Sequence, residues 1–111
     1  MNNDFEWQIV KSDDRYIVYD NYSLKNLVSS ITILNPGKST SGHSHIGQEE
    51  VYVFFRGSGK MQIDKKEYSV NRGDVIPVND GEFHRVFNES DHKLEFAAIF
   101  NGLRESSVLV P

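Results

Sequence analysis

The sequence contains no cysteine and no long run of apolar residues. The absence of cysteine excludes disulfides and thiolate chemistry, and it leaves histidine and carboxylate side chains as the strong metal ligands. No apolar stretch is long enough to span a bilayer, and the polar, acidic residues 1–14 lack the basic start and apolar run of a signal peptide. We therefore expect a cytoplasmic protein with no membrane partner.

An excess of positive charge is also absent. Twelve lysines and arginines stand against 16 aspartates and glutamates, which gives a formal net charge of −4. Because no basic block stands out, nucleic acid is not an expected partner. The length of 111 residues predicts a single domain over 1–111, and the hydrophobic content of 38% is typical of a folded soluble chain.

Short runs rich in valine, isoleucine, tyrosine and phenylalanine recur along the chain, separated by glycine, proline, asparagine and aspartate. Such runs predict strands, and no helical periodicity competes with them. The predicted strands are 15–20, 28–35, 50–56, 60–64, 68–70, 75–78, 84–88 and 94–100. Residues 20–26 are predicted to form a turn or a single helical turn. Many short strands between turn residues predict an all-β sandwich or barrel.

Three histidines and a glutamate are candidate metal ligands. His43 and His45 stand two residues apart, so both side chains point to the same face of an extended segment. Glu50 begins the run that places Tyr52 on its own face, and His84 follows much later in the chain. Taken singly, each residue is more typical of an exposed or hydrogen-bonded side chain. Three imidazoles and one carboxylate that meet inside a barrel would suit Mn, Fe, Co, Ni or Zn.

The spacing of these residues resembles the motifs of the cupin superfamily. Residues 37–57, with Gly37, the two histidines, Glu50 and Gly57 in order, resemble the first motif, and residues 73–88 resemble the second. One departure is Asn79, which stands where the second motif has a proline. The resemblance implies a small double-stranded β-helix or jelly-roll barrel of six to eight strands. It also implies one divalent metal, held by His43, His45, Glu50 and His84.

Other side chains are candidates for substrate contact. Glu49 is the competing carboxylate and should face away from Glu50, and Tyr52 and Glu49 are the candidates for proton transfer. Arg85, next to His84, should point away from the metal. Most pocket candidates are also natural core residues. The predicted substrate pocket comprises Tyr52, Phe54, Met61, Phe96, Phe100 and Arg104.

Arg104 is a candidate for binding an anionic group, because a guanidinium fork suits carboxylate and phosphate. With Phe100 it matches the Phe-(three residues)-Arg element of small sugar-uronate cupins. Ala98, however, stands where those relatives have an acid, so the resemblance does not extend to a general acid or base at that position.

Three functions fit the resemblance. The first is an enzyme, of isomerase or lyase type, that uses the metal as a Lewis acid on a sugar, sugar phosphate or small carboxylic acid. The second is an iron- or nickel-dependent dioxygenase, and the third is a non-catalytic, metal-dependent binding or sensor module. All three take a small-molecule ligand. A homodimer is expected, because the apolar residues 108–110 suit pairing with an edge strand.

Overall fold

The computed structural model describes residues 4–44 and 46–102, which form nine β-strands and no helix. In chain order these are β1 (Gln8–Ser12), β2 (Tyr16–Asn21), β3 (Leu27–Leu34), β4 (Glu50–Arg56), β5 (Ser58–Ile63), β6 (Lys66–Asn71), β7 (Val75–Val78), β8 (His84–Phe87) and β9 (Leu94–Asn101). No helix long and apolar enough to cross a membrane occurs in this part of the chain.

The strands form two antiparallel sheets that face each other. The larger sheet has the order β1-β2-β3-β9-β4-β7, and the smaller has the order β6-β5-β8. Along residues 94–100 of β9 the side chains alternate between buried and half-buried, because successive residues point to opposite faces of a sheet. The inward side chains of both sheets form one apolar core, which confirms the predicted jelly-roll barrel.

All eight predicted runs are strands, and β4 and β7 have the predicted bounds. One further strand, β1, was not predicted. With it the described residues form nine strands, one more than the upper end of the six to eight that the resemblance implied. The β1 sequence has no buried residue and pairs with β2 alone, at the edge of the larger sheet. A strand of this kind carries little of the alternation by which strands are recognised.

The connection after β3 begins with a regular turn, whereas the connection after β2 is irregular. Gly37 follows Pro36 and has a φ of +74°, while the Asn35 carbonyl accepts a hydrogen bond of 3.2 Å from the Lys38 N–H. This is the type II turn that the Pro-Gly pair predicts. Residues 22–26 instead form an irregular connection between β2 and β3, and the single helical turn considered for this segment is absent from it.

Candidate metal centre

The two distant motifs meet where His43 lies beside His84. The His43 N–H donates to the His84 carbonyl over 3.2 Å, and the His84 N–H donates to the His43 carbonyl over 3.0 Å. Residues that exchange both hydrogen bonds lie directly opposite each other in an antiparallel pair, so their side chains share one face. The ring centroids are 4.6 Å apart, with the planes at 74°. Backbone pairing therefore brings the two imidazoles together.

Glu50 approaches this pair from the opposite sheet. It is the first residue of β4, it is only 7% exposed, and its Oε2 atom lies 3.8 Å from Nε2 of His84. One possible ligand atom from each of His43, Glu50 and His84 lies within 4.8 Å of the other two. The neighbouring Glu49 is exposed. Burial thus separates the two carboxylates as the alternation of β4 predicts.

A backbone carbonyl fixes the orientation of the His84 ring. Nδ1 of His84 lies 3.0 Å from the carbonyl oxygen of Glu82. Because a carbonyl oxygen only accepts hydrogen bonds, this contact places a proton on Nδ1. The neutral ring then has its lone pair on Nε2, the nitrogen that faces Glu50. A hydrogen bond of this kind at the second nitrogen is the usual support of a metal-binding histidine.

The turn that carries Glu82 accounts for the asparagine in the second motif. The Asn79 N–H donates to Oε1 of Glu82 over 2.7 Å, and the Glu82 N–H donates to the Asn79 carbonyl over 3.1 Å. A proline at position 79 would have no N–H to donate. In this chain the hydrogen bonds between Asn79 and Glu82 hold the turn, at a position where the motif has the rigid ring of proline. The same turn positions the Glu82 carbonyl that orients His84.

The donor set fits a divalent transition metal. Two imidazoles and one carboxylate are the ligand types that Mn, Fe, Co, Ni and Zn share, and here Glu50 and His84 are buried and His43 is half-buried. The residues that the structure describes therefore include a group that could hold one metal ion. His45, the fourth predicted ligand, lies outside the described residues.

The aromatic pocket candidates line the barrel beside this group. The Tyr52 ring stands edge-on to the His84 ring, with centroids 5.7 Å apart, and it also stacks on Phe96 at 5.5 Å. Tyr52, Phe54, Met61, Phe96 and Phe100 are all 3% exposed or less. They thus belong to the inner wall of the barrel, and ligand contact by any of them stays a prediction. Arg104 lies outside the described residues.

Arg85 points away from the metal group, as predicted. Its Nε donates to the Thr40 carbonyl over 2.8 Å, and its terminal nitrogen donates to the Ser39 hydroxyl over 3.0 Å. The guanidinium therefore attaches the segment before His43 to β8. Arg85 therefore contributes to the site by helping to position the segment that carries His43.

Sequence reasoning missed several polar side chains that the fold buries, and Asp20 is the ionisable one among them in the described residues. Asp20 is fully buried, and the Tyr22 hydroxyl donates to its Oδ2 over 2.9 Å. A signal for it was present, because Tyr16, Val18 and Asp20 alternate along the predicted strand 15–20 and therefore share a face.

A groove of about 400 Å³ opens at the end of β4 and borders Glu50 of the metal group. Its lining includes Glu50 and Phe100 from the inner face and Glu49 at the rim. His43 and His84 are not among its lining residues, and Val51, Pro77 and Ile99 line it from the outer face of the larger sheet.

Comparison with known proteins identifies the family to which this site belongs. Residues 30–100, which contain both motifs, match the sequence model of the Cupin domain. This chain belongs to the cupin family. The structure of KdgF from Halomonas sp. is similar, with a TM-score of 0.79 at 13% identity, and the match covers 95% of this cupin and 93% of that chain. At that identity the likeness shows the shared fold.

Two curated relatives have named activities. The oxalate-binding protein of Thermotoga maritima is 35% identical over 66 residues, which cover 60% of this cupin and 54% of the relative. Glucose-6-phosphate isomerase of Pyrococcus furiosus is 30% identical over an alignment of 113 positions, which covers 85% of this cupin and 60% of the relative. The chain thus spans little more than half of the length of these relatives.

Proposed function

We propose that this cupin is a metal-dependent enzyme acting on a sugar, sugar phosphate or small carboxylic acid, with isomerase- or lyase-type chemistry. The observation that carries the proposal is the convergence of His43, Glu50 and His84 within 4.8 Å inside the barrel. His45 is the proposed fourth ligand. The named relatives, an oxalate-binding protein and a glucose-6-phosphate isomerase, support a small oxygen-rich ligand.

A divalent ion held by these residues would polarise a carbonyl or hydroxyl oxygen of the substrate. His43 and His84 would bind it as neutral imidazoles, and the Glu82 carbonyl keeps the His84 proton on Nδ1. Glu50, which is 7% exposed, supplies the negative charge of the group. The identity of the metal is proposed only as one of Mn, Fe, Co, Ni and Zn.

Tyr52 is the proposed residue for proton transfer. Its ring contacts His84, and its hydroxyl is the polar atom that it brings to the inner wall. Glu49, the other candidate, is exposed, and its own N–H donates to Oδ1 of Asn101. Tyr52→Phe should therefore lower turnover with unchanged metal binding, whereas Glu49→Gln should change neither.

The test is a search for metal-dependent turnover. Metal-free protein would be loaded in turn with Mn²⁺, Fe²⁺, Co²⁺, Ni²⁺ and Zn²⁺ and incubated with aldoses, ketoses, their phosphates and small oxo-acids. Proton NMR would follow each substrate. We expect one metal to give turnover that Glu50→Gln abolishes and Glu49→Gln retains. Metal binding without turnover on any substrate class would contradict the enzymatic proposal.

A second candidate is a metal-dependent binding module without turnover. The similarity to the oxalate-binding protein of Thermotoga maritima favours it. It predicts that the ligand is recovered unchanged after binding to the metal-loaded protein. The same NMR experiment therefore separates the two candidates.

A homodimer is also proposed. The two edge strands of the larger sheet carry exposed apolar side chains, with Ile9 on β1 60% exposed and Val75 on β7 56% exposed. Such edges favour pairing with a second copy. Residues 108–110, the predicted pairing segment, lie outside the described residues. Light scattering of the purified chain should give twice the monomer mass, and a monomer at micromolar concentration would contradict the proposal.

A further inference from the structure

The outer face of the larger sheet carries an unbroken row of apolar side chains. One residue from each of its six strands pairs with the next across the whole sheet. In strand order this central row is Ile9, Tyr19, Ile31, Ala97, Val53 and Val75. None of the six side chains is buried, whereas the inward-facing side chains of the same sheet form the core. The apolar surface of this sheet therefore continues on the side away from the barrel interior.

The rows on either side of the central row are mostly apolar as well. One includes Ser29, Ile99, Val51 and Pro77, and the other includes Ile17, Ile33, Glu95 and Arg56. The charged residues of the three rows are Glu95 and Arg56, which form an ion pair of 3.0 Å with each other. Their charges therefore cancel within one copy of the chain.

The smaller sheet differs on its outer face, although it belongs to the same barrel. Its two outer rows are Glu67, Gln62 and Arg85, and Ser69, Lys60 and Phe87. Five of these six side chains are polar or charged. An antiparallel sheet with one face in water normally has such a polar outer face. The apolar outer face of the larger sheet is thus typical of a surface that a partner covers.

The size of this apolar face is that of a specific interface. Five strand spacings of about 4.8 Å and rows about 7 Å apart, with half a spacing added at each margin, give about 30 by 20 Å. This corresponds to about 600 Å² on one copy, and a specific interface needs about 500–800 Å² on each partner. Because Arg56 neutralises Glu95, the face has no net charge that would repel a second copy or select a charged partner.

We propose that two copies of this chain pack against each other through the outer faces of their larger sheets. The inference rests on the proposed homodimer and assigns its interface to the face of the sheet rather than to its edges. Ile9 and Val75, the exposed residues of the two edge strands, are the two ends of the central row and belong to the same interface. Ala97 stands between Ile31 and Val53, and its short side chain leaves room for a larger side chain of the second copy.

The first test places a charge in the middle of the face. Ile31 lies on β3 and Val53 on β4, which are interior strands, so a substitution there leaves both sheet edges unchanged. In a two-fold interface, Ile31→Lys or Val53→Lys buries two unpaired charges, one from each copy. Sedimentation equilibrium should show a dissociation constant at least about 100-fold above that of the wild type. The control Gln62→Lys puts the same charge on the outer face of the smaller sheet and should leave the dimer unchanged.

The second test uses a smaller change, which decides the question even if a lysine variant does not fold. The chain has no cysteine, so Val53→Cys introduces a single thiol on the proposed interface, and Gln62→Cys introduces one on the control face. A dimer of the proposed kind covers the thiol at position 53. Its alkylation by iodoacetamide should therefore slow as the protein concentration is raised through the dissociation constant. The thiol at position 62 should react at the same rate at every concentration.

Two results would overturn the inference. One is a dimeric wild type whose dissociation constant is unchanged in both lysine variants. The other is alkylation of Val53→Cys that does not depend on concentration although the protein dimerises. Either result would assign the dimer to the sheet edges.

A wild type that is still monomeric at about 100 μM would contradict both the homodimer and this interface, and the face would then fit a different partner. None of these measurements involves the metal centre, so the enzymatic proposal is decided separately.

Discussion

His43 and His84, 41 positions apart in the chain, exchange two backbone hydrogen bonds of 3.2 and 3.0 Å and place their rings 4.6 Å apart. The pair joins the segment after the Pro36-Gly37 turn to the first residue of β8. Because backbone hydrogen bonds set this contact, the two residues lie side by side without any metal. Glu50 then completes the group from the facing sheet.

Glu50→Gln should abolish tight metal binding, because it removes the negative charge from the group. Loss of residues that merely support a ligand costs about 10–100-fold in affinity, so loss of the ligand itself should cost at least about 100-fold. The matched control is Glu49→Gln, since Glu49 is exposed and Glu50 is buried. Equilibrium dialysis with Mn²⁺ and Zn²⁺ measures both variants. Equal affinities of the two variants would show that the structure assigns the wrong carboxylate.

Thr40→Val should weaken metal binding through the position of His43. The Thr40 side chain is 2% exposed, and its Oγ1 accepts a hydrogen bond of 3.0 Å from the Val86 N–H. Valine has a similar shape but leaves that buried N–H unsatisfied, which should lower the free energy of unfolding by about 1–3 kcal/mol. The control Ser44→Ala changes an exposed hydroxyl in the same segment. Urea unfolding with and without metal gives both effects, and metal affinity unchanged in Thr40→Val would contradict the positioning role.

Gly57→Ala should destabilise the barrel more than Gly73→Ala. Both glycines have a positive φ, +87° and +95°, and a non-glycine residue there costs about 1–2 kcal/mol. A Cβ at position 57 would in addition lie 2.5 Å from the Lys93 carbonyl oxygen, whereas a Cβ at position 73 meets nothing within 4 Å. Free energies of unfolding from urea titrations compare the two variants. Equal losses would mean that the backbone near Lys93 gives way at little cost.

The fold was predictable from the sequence because apolar and polar residues alternate along most of its strands. In β4 and β9 the buried positions fall on every second residue, and the intervening turns contain glycine, asparagine or aspartate. The resemblance to the first motif favours Glu50 as the ligand, and the same alternation predicts that Glu49 faces the other way. The edge strand β1 was not predicted, because none of its residues is buried and its sequence, QIVKS, shows no clear alternation.

The residues of the metal group were predictable from the motif spacing, but the hydrogen bond that orients the His84 ring was not. The Glu82 carbonyl orients His84 through backbone geometry, to which the side-chain sequence gives no direct guide. Asp20 was missed for a different reason. Its place on an inner face follows from the alternation of β2, yet the strands that lie beside it depend on the strand order, which places β9 between β3 and β4.

Tyr16 should make the protein less stable at high pH. Burial raises the pKa of the Tyr16 hydroxyl, although the Arg15 guanidinium beside it opposes that shift. Above the ordinary tyrosine pKa of about 10, the unfolded chain releases this proton while the folded chain retains it. The contribution of Tyr16 to the free energy of unfolding is therefore fully present below about pH 10. It declines as the pH rises further, by at most about 1.4 kcal/mol per pH unit.

Tyr16→Phe removes that titration, so its free energy of unfolding should fall less steeply than that of the wild type between about pH 10 and 11. Tyr19→Phe, on the outer face of the same strand, is the control for the remaining tyrosines. Urea titrations across this range give the comparison. Parallel curves for the wild type and Tyr16→Phe would contradict the assignment.

The most direct measurement is anomalous scattering from a crystal of the protein grown with Mn²⁺ or Zn²⁺. The account predicts one strong peak inside the barrel, within about 2.0–2.2 Å of nitrogen atoms of His43 and His84 and of a carboxylate oxygen of Glu50. Density for His45 at the same peak would complete the proposed ligand set. A peak elsewhere, or none inside the barrel at full metal loading, would contradict the metal centre.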